Sequence, residues 1–252
     1  MSAAEVQQHF PRLDGRRILV TGGGSGIGAA VAEACAGAGA RVGVIGRDPA
    51  RLEQIAGRIG AATAAADISI RAAAEQAVAS IADQLGGLDG LVNNAGAMLH
   101  SKISAGMSED WQKMLDVNVL GLLHVTYATL EHLRQADHAD IVNISSIAAD
   151  SVSLPDFAIY AATKASVLRI TEALRLDLAN DRDIRVAAVK PGAVKTDGFG
   201  PGIRDPELRK RVEARKQTAA MEPSVLAAEI CHLLAVPRSA CIAEMVIIPH
   251  RP

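Results

Sequence analysis

The stretch Arg17-Ile-Leu-Val-Thr-Gly-Gly-Gly-Ser-Gly-Ile-Gly28 predicts how the chain folds. Its first five residues form a short apolar run typical of a buried strand, and a glycine-rich turn follows at once. The alanine-rich residues Ala29 to Ala38 then predict a helix that ends at Gly39. Glycines let a backbone approach a phosphate closely, and the start of a helix favours negative charge. In this context the motif indicates nucleotide binding, whereas isolated glycines would indicate only a tight turn.

The remaining sequence alternates between apolar runs and helical stretches, about seven times in all. No repeat, linker or change in composition marks a domain boundary. The alternation predicts an α/β fold: one domain over residues 1–252, with a doubly wound, mostly parallel, seven-stranded sheet and helices on both faces. Residues 1–14 are expected to form a loose leader and residues 197–222 a substrate-lid insert. We expect strands at 17–21, 41–45, 61–66, 88–93, 140–146, 183–190 and 244–248, and helices at 29–38, 71–84, 108–134, 160–180 and 224–234.

Composition excludes several classes of protein. The 252 residues carry a net charge of -2 and only 2% are aromatic, which argues against a nucleic-acid surface or an anionic membrane as partner. No apolar run is long enough to cross a bilayer. The three cysteines, Cys35, Cys231 and Cys241, are far apart and form no metal-binding pattern. We therefore expect a cytoplasmic protein with no metal site.

The end of the second strand predicts which dinucleotide is bound. In nucleotide-binding folds a carboxylate at this position bonds the ribose of NAD, while an arginine accommodates the additional phosphate of NADP. Here Gly46 is followed by Arg47, which favours NADP(H) over NAD(H). Asp48 and Pro49 are a typical helix cap and first turn, so Asp48 is expected to be engaged in capping.

Tyr160-Ala-Ala-Thr-Lys164 predicts the chemistry. Residues four apart share one face of a helix, so an ammonium group would lie beside a phenol. We expect the positive charge to lower the pKa of Tyr160 from its ordinary value of about 10, which suits an acid or base. A half-buried ring beside a solvated lysine is the alternative interpretation of this spacing.

Together these motifs resemble the short-chain dehydrogenase/reductase family over nearly the whole chain, and an NADP-dependent subgroup of it. The resemblance implies a Rossmann-type fold and oxidoreductase activity. The matching motifs, in family order, are Thr21-Gly-Gly-Gly-Ser-Gly-Ile-Gly28, Asn93-Asn-Ala-Gly96, Asn118, Ser145-Ser146, Tyr160-x3-Lys164 and Pro191-Gly-x-Val-x-Thr196.

The resemblance implies a catalytic tetrad of Asn118, Ser146, Tyr160 and Lys164. Tyr160 would be the acid in reduction and the base in oxidation, and Lys164 would lower its pKa and hold the nicotinamide ribose. Ser146 would orient the substrate carbonyl, and it is preferred over Ser145 because alternation sends only one of the two hydroxyls to the site. Asn118 would hold a water that links Lys164 to solvent. The implied cofactor contacts are Gly22, Ser25, Gly26, Ile27, Gly28, Arg47, Asp67, Ile68, Asn94, Tyr160, Lys164, Val194 and Thr196.

Substrate contacts are expected from the loops, with Met98, His100, Leu154, Phe157 and the insert as candidates. His100 is either a pocket residue or a surface histidine. The insert is rich in arginine and lysine, which indicates either capture of an anionic substrate group or a solvated helix face. Lys190 stands where the family more often has a small or uncharged residue, and we expect a solvated lysine rather than an anion contact.

The resulting hypothesis is an NADP(H)-dependent oxidoreductase that interconverts a small-molecule carbonyl and an alcohol. The C-terminal residues 243–252 resemble those of members acting on small hydroxy acids and aldehydes. An NAD-dependent alcohol dehydrogenase, a 3-oxoacyl carrier-protein reductase and a non-catalytic dinucleotide sensor are the alternatives. The family resemblance also implies a homotetramer or homodimer formed through the helices near Trp111–Arg134 and Tyr160–Asn180. Leu120, Leu122, Leu123, Val125, Leu168 and Leu174 could face the partner, or could lie in the core.

Overall fold

A computed structural model describes residues 12–100, 102–152, 155–181, 183–196, 203 and 206–250. Its centre is a sheet of seven strands, all parallel, in the order β3-β2-β1-β4-β5-β6-β7. The predicted α/β fold with a doubly wound sheet is confirmed, and the sheet is wholly rather than mostly parallel. The strands are β1 (Arg17–Thr21), β2 (Arg41–Gly46), β3 (Ala62–Ala65), β4 (Gly90–Asn93), β5 (Ala139–Ile144), β6 (Ile184–Pro191) and β7 (Glu244–Ile247).

Helices connect the strands and cover both faces of the sheet. They are α1 (Gly26–Gly37), α2 (Pro49–Ile59), α3 (Arg71–Leu85), α4 (Ser108–Leu115), α5 (Leu122–Gln135), α6 (Ala158–Asp177), α7 (Pro206–Ala219) and α8 (Pro223–Ala235). A π-helical turn, Asp116–Gly121, joins α4 to α5. Short 3₁₀ turns occur at Ile103–Ala105, Ile147–Ala149 and Pro155–Phe157. None of the helices within the described residues is long and apolar enough to cross a membrane.

Two apolar layers hold the sheet between the helices. Ile18 and Val20 of β1 point into a layer packed against α1 and α8, whereas Leu19 between them points into a layer packed against α3 and α5. Because both faces of β1 are buried, its sequence is a continuous apolar run rather than an alternating one. The predicted strand was therefore easy to recognise in the sequence.

The strand order reverses between β1 and β4. The chain proceeds from β1 outward to β3, and then returns to place β4 on the other side of β1. In open parallel sheets the crevice at such a reversal, beyond the carboxyl ends of the strands, is where ligands bind. This topology brings together the glycine turn after β1 and the loops after β4 and β5.

The structure corrects four details of the predicted elements. Helix α1 begins at Gly26, three residues before Ala29, because the last glycines of the turn are already helical. Met107, not Ser108, occupies the cap position of α4, and no side-chain cap bond is made there. The predicted helix 108–134 is interrupted by the π-helical turn. Leu13, within the predicted loose leader, is only 2% exposed, and its N–H donates to Ala38 O at 2.8 Å, so the chain is packed from there on.

The amino-terminal edge of the sheet is held by a cluster of buried ion pairs. The Asp140 side chain, 2% exposed, contacts three guanidinium groups: Arg16 at 2.8 Å, Arg185 at 2.7 Å and Arg238 at 3.1 Å. Asp89 also binds Arg16, at 2.6 Å. These residues come from the starts of β1, β4, β5 and β6 and from the loop after α8, so the cluster ties five segments together.

We expect Asp140→Asn to destabilise the protein strongly. Removing one member of a buried ion pair leaves charges without compensation and typically costs about 3–5 kcal/mol in the free energy of unfolding. Urea unfolding followed by circular dichroism measures this change. Asp14→Asn is the matched control, because the Arg12–Asp14 pair is exposed and its loss should leave the midpoint nearly unchanged. Equal effects of the two substitutions would contradict a structural role for the cluster.

Candidate functional site

The glycine turn after β1 allows the protein backbone to approach a ligand closely. Gly22 and Gly26 have φ values of 67° and 54°, which favour glycine. A Cβ at Gly28 would collide with the carbonyl oxygen of Gly22, so α1 can pack here only with glycine. Within the described residues, Ser25 precedes α1 without a side-chain cap bond, and the first turn of α1 contains no acidic residue. The N–H groups at this helix start therefore suit the pyrophosphate of a dinucleotide.

Asn94 fixes the position of this turn relative to β4. Its side-chain Nδ2 donates to Thr21 O at 2.9 Å, and its main-chain N–H donates to the Thr21 hydroxyl at 3.0 Å. Ala95 N donates to the same hydroxyl at 3.0 Å. Thr21 was absent from the predicted site, although its place at the end of the strand was a signal for it. Asn94 and Thr21 thus position the glycine turn and the loop after β4 as one unit.

The residues predicted for the adenosine end lie after β2 and β3. Arg47 is exposed, and its charge is one of the weaker causes that lower the pKa of the Asp67 carboxyl; the largest is the hydrogen bond from Ser69. Two bonds from Ser69 reach the same carboxylate oxygen of Asp67, at 2.7 and 3.0 Å. Asp48 caps α2 by accepting from Ala50 N at 3.0 Å and Arg51 N at 3.3 Å, which confirms the predicted cap.

Of two more predicted cofactor residues, Ile68 is buried and Ile27 is half-buried. The side chain of Ile68 packs so closely on Gly121 that a Cβ there would lie 2.9 Å from it. Ile27, at the start of α1, is half-buried against the apolar layer that α1 shares with α8.

Val194 and Thr196 close the opposite side of the crevice. A Cβ at Gly26 would lie 3.2 Å from the Thr196 side chain, so Thr196 lies directly over the glycine turn. Val194 forms a parallel bridge with Met221, and Lys195 forms an ion pair with Glu222 at 2.6 Å. These contacts join the two ends of the predicted insert 197–222. Residues 197–202, 204 and 205 lie outside the described part, so the lid role of the insert stays a prediction.

The two serines after β5 have different surroundings. Ser145 is buried, and its hydroxyl donates to Lys164 O at 2.8 Å. The Ser146 hydroxyl accepts from Ala148 N at 3.1 Å and lies near enough to Tyr160 to oppose the rise in the pKa of the phenol. The structure therefore brings Ser146, rather than Ser145, to the tyrosine.

Burial sets the electrostatics of Tyr160 and Lys164. Burial raises the pKa of Tyr160 above its ordinary value, and the interaction with Ser146 opposes this rise. Burial also lowers the pKa of Lys164 to about 8. The Lys164 ammonium lies 5.9 Å from the centre of the Tyr160 ring and donates to Ile144 O at 2.8 Å. The pKa of Tyr160 is therefore raised, not lowered as expected, because loss of solvent outweighs the opposing interaction with Ser146.

Asn118 lies buried in the π-helical turn and connects two parts of the site. Its Nδ2 donates to Ala97 O and to the Thr163 hydroxyl, each at 2.9 Å, and its Oδ1 accepts from Ala97 N at 2.7 Å. Both amide hydrogens are engaged, so this side chain holds the loop after β4 against α6. A Cβ at Gly96 would lie 3.3 Å from Asn118 Oδ1 and 3.5 Å from Lys164 Nζ, which places all three together. Thr163 was not predicted, although it lies between Tyr160 and Lys164.

Lys190 is not the solvated lysine that we expected. Its side chain is only 9% exposed and lies between Glu244 at 2.6 Å and Asp150 at 2.9 Å. The bond to Glu244, followed by the bond to Asp150, raises the pKa of Lys190. Because Asp150 follows the turn that begins at Ser146, Lys190 ties that turn to β7.

Two of the candidate substrate residues, Phe157 and His100, are connected to Tyr160 by ring contacts. The rings of Phe157 and Tyr160 are 6.5 Å apart, and the rings of His100 and Phe157 are 4.3 Å apart. His100 is buried, so the surface alternative is wrong, and Met98 is half-buried. Arg209 of the basic insert donates to Ile203 O at 3.0 Å. Leu154 and Arg204 lie outside the described residues.

Comparison with known proteins identifies the family. The family model described as short chain dehydrogenase matches residues 16–205. An uncharacterized oxidoreductase of Staphylococcus epidermidis is 36% identical over 180 residues, which cover 71% of this chain and 77% of that protein. This chain therefore belongs to the short-chain dehydrogenase/reductase family, and it is an oxidoreductase with a Rossmann-type fold.

Solved structures agree with this assignment. A serine dehydrogenase complexed with NADP+, in its closed form, is 30% identical and has a TM-score of 0.85, covering 92% of this chain and 94% of that one. A 3-ketoacyl-(acyl-carrier-protein) reductase from Brucella melitensis, complexed with NADH, is 31% identical and has a TM-score of 0.82, covering 95% and 99%. A nicotinamide dinucleotide is therefore the class of cofactor that this fold binds.

The depressed pKa of Lys164 predicts how stability depends on pH. Its value of about 8 in the folded protein lies below the ordinary 10.5, so the unfolded chain binds more protons between these values. Stability conferred through this group is therefore lowest below about pH 8 and rises above it. We expect the wild type to gain free energy of unfolding relative to Lys164→Met as the pH rises from about 7.5 to 9.5.

Urea unfolding of both proteins at several pH values measures this gain. The same comparison in a Tyr160→Phe background is the control, because it removes the neighbouring phenol. A difference that stays constant with pH in both backgrounds would show that Lys164 does not titrate in this range.

Proposed function

We propose that this protein is an NADP(H)-dependent oxidoreductase that interconverts a ketone or aldehyde and the corresponding alcohol. The observation that carries the proposal is the position of Tyr160, which lies close to Ser146 and to Lys164 at the edge of the sheet that also carries the glycine turn. A proton donor, a hydroxyl that can orient a carbonyl and a dinucleotide site thus share one crevice. A bound nicotinamide supplies or accepts the hydride.

Each residue of the tetrad has a separate role in the proposed reaction. Tyr160 gives a proton to the carbonyl oxygen in reduction and takes one from the alcohol in oxidation, and its raised pKa keeps the proton on the phenol for reduction. The Ser146 hydroxyl orients the same oxygen. Lys164 supplies positive charge and can exchange protons near pH 8. Asn118 keeps the loop after β4 in contact with α6, and so positions Lys164 beside Gly96.

NADP preference is supported by the charges at the adenosine end. Gly46 offers no carboxylate to a ribose, Arg47 is exposed and available for a phosphate, and Asp48 is occupied with capping α2. The neighbour complexed with NADP+ favours the same cofactor for this chain. Because one neighbour is complexed with NADH, an NAD-dependent dehydrogenase is the second candidate. The same neighbour is a 3-ketoacyl-(acyl-carrier-protein) reductase, so a 3-oxoacyl carrier-protein reductase is a further candidate. A non-catalytic sensor is disfavoured because Tyr160 and Lys164 are both present.

We further propose a cytoplasmic homodimer or homotetramer with a small-molecule substrate. Three large side chains, Leu120, Leu123 and Tyr127, are exposed where the π-helical turn continues into α5, which lies within one of the two helices that the family resemblance implies for assembly. Leu122, Val125 and Leu168, by contrast, are buried within the subunit and are not available to a partner. Sedimentation analysis of Tyr127→Lys against the wild type would test this surface.

Tyr160→Phe should lower the rate of carbonyl reduction by about 10²–10⁴-fold, because it removes the proton donor and nothing else. NADPH affinity should stay close to that of the wild type. Oxidation of NADPH against a panel of ketones, aldehydes, oxo acids and acyl thioesters measures the rate, and fluorescence titration measures the affinity. Tyr127→Phe is the matched control, since Tyr127 is the other of the two tyrosines and is exposed. A Tyr160→Phe protein that keeps most of its rate would refute the assignment.

Arg47→Ala should weaken NADPH binding much more than NADH binding. Hydrogen bonds to a charged group contribute about 1.5–3 kcal/mol, which corresponds to roughly ten- to hundredfold in the dissociation constant. Titration of the two nucleotides against the wild type and the variant measures both losses. Arg58→Ala, at the far end of α2 and paired with Glu33, is the control. An equal loss of affinity for NADPH and NADH would contradict the proposed preference for NADP(H).

A further inference from the structure

His100 is a buried polar side chain that finds no hydrogen-bond partner among the described residues. It is 6% exposed, and neither of its ring nitrogens has a partner among the described residues. Leaving a buried donor or acceptor unpaired typically costs about 1–3 kcal/mol. An apolar residue of similar size would avoid this cost, so packing alone gives no reason for histidine at this position.

The position of His100 connects it to the reaction centre. Its ring packs edge-on against Phe157, with 4.3 Å between ring centres and an angle of 62° between the planes. Phe157 in turn packs edge-on against Tyr160, at 6.5 Å. His100 follows the loop that carries Gly96, where Asn118 and Lys164 meet. His100 and Tyr160 therefore lie in the same part of the site, each against the ring of Phe157.

The surroundings of His100 favour a neutral partner over an anion. Burial lowers the pKa of His100, and the charge of Asp156 opposes this only in part, so the imidazole is neutral near pH 7. A neutral imidazole has one nitrogen that donates and one that accepts. A hydroxyl group can do both, whereas a carboxylate only accepts and would also meet the negative charge of Asp156.

We propose that His100 determines substrate specificity by binding a hydroxyl group on the carbon next to the reacting carbonyl. The inference rests on the proposed function and deepens it: the preferred substrates are small hydroxy-ketones and hydroxy-aldehydes, or the corresponding diols in the reverse direction. A site with an unpaired buried polar group discriminates strongly in favour of a substrate that satisfies it.

Matched substrate pairs test the proposal. Hydroxyacetone and 2-butanone differ in that a methyl group replaces the hydroxyl, and glycolaldehyde and propanal differ in the same way. We expect wild-type kcat/KM with NADPH to favour the hydroxylated member of each pair. In His100→Leu this preference should fall by about tenfold, which corresponds to about 1.4 kcal/mol. The loss should arise on the hydroxylated member, while kcat/KM for 2-butanone and propanal stays equal or rises. Dividing the wild-type ratio by the variant ratio cancels the intrinsic reactivity of each carbonyl.

Two controls separate recognition from a structural role. His100→Gln keeps a donor and an acceptor and should retain part of the preference. The thermal midpoint of His100→Leu should equal or exceed that of the wild type, because unpaired polar atoms are removed. A lower midpoint with an unchanged ratio would show that His100 is structural and would overturn the proposal.

The outcomes also distinguish this proposal from the proposed function. If all four substrates are reduced and the preference for the hydroxylated member is the same in wild type and His100→Leu, the role of His100 is overturned. The oxidoreductase assignment is then unaffected. Binding of NADPH without turnover of any of the four would count against the proposed function, and the His100 proposal would fall with it.

Discussion

The close approach of α1 to β1 is the constraint on which the functional half of the molecule depends. No side-chain atom fits between residue 28 and the Gly22 carbonyl, and the Asn94 amide is fixed against the same turn. This contact aims the start of α1 into the crevice between β1 and β4. It also positions the chain after β4, which carries Gly96 and His100. One packing requirement therefore sets both the proposed cofactor site and part of the proposed substrate pocket.

The two edges of the sheet use charge in opposite ways. At the amino-terminal edge, carboxylates and guanidinium groups are buried as pairs, and Asp140 alone contacts three arginines. At the carboxyl edge, Lys164 and His100 are buried and Tyr160 is half-buried, none of the three forms an ion pair within the described residues, and loss of solvent dominates their pKa values. The first arrangement stabilises the sheet. The second shifts the pKa values of all three groups and brings that of Lys164 to about 8, so Lys164 can gain or lose a proton at mildly alkaline pH.

Much of this architecture was predictable because it follows from local patterns. Burial on both faces made β1 an unbroken apolar run, and the turn glycines marked its end, so the first strand and the glycine turn were placed correctly. Helix boundaries were less predictable: the capping of α4 and the π-helical turn around Asn118 are set by contacts with other elements. Asn118 engages Ala97 and Thr163, 21 residues before it and 45 after it, and no local pattern specifies such partners.

The sequence by itself determined the fold class, the family, the glycine turn and the order of the motifs, because these depend on residue type and short spacing. Only the tertiary structure decided which groups meet and how far each is removed from water. It buried His100 beside Phe157, placed Lys190 between Glu244 and Asp150, and raised rather than lowered the pKa of Tyr160. The physical reason is that burial and long-range pairing are properties of the packed whole, since the groups that exclude solvent from a side chain come from distant parts of the chain.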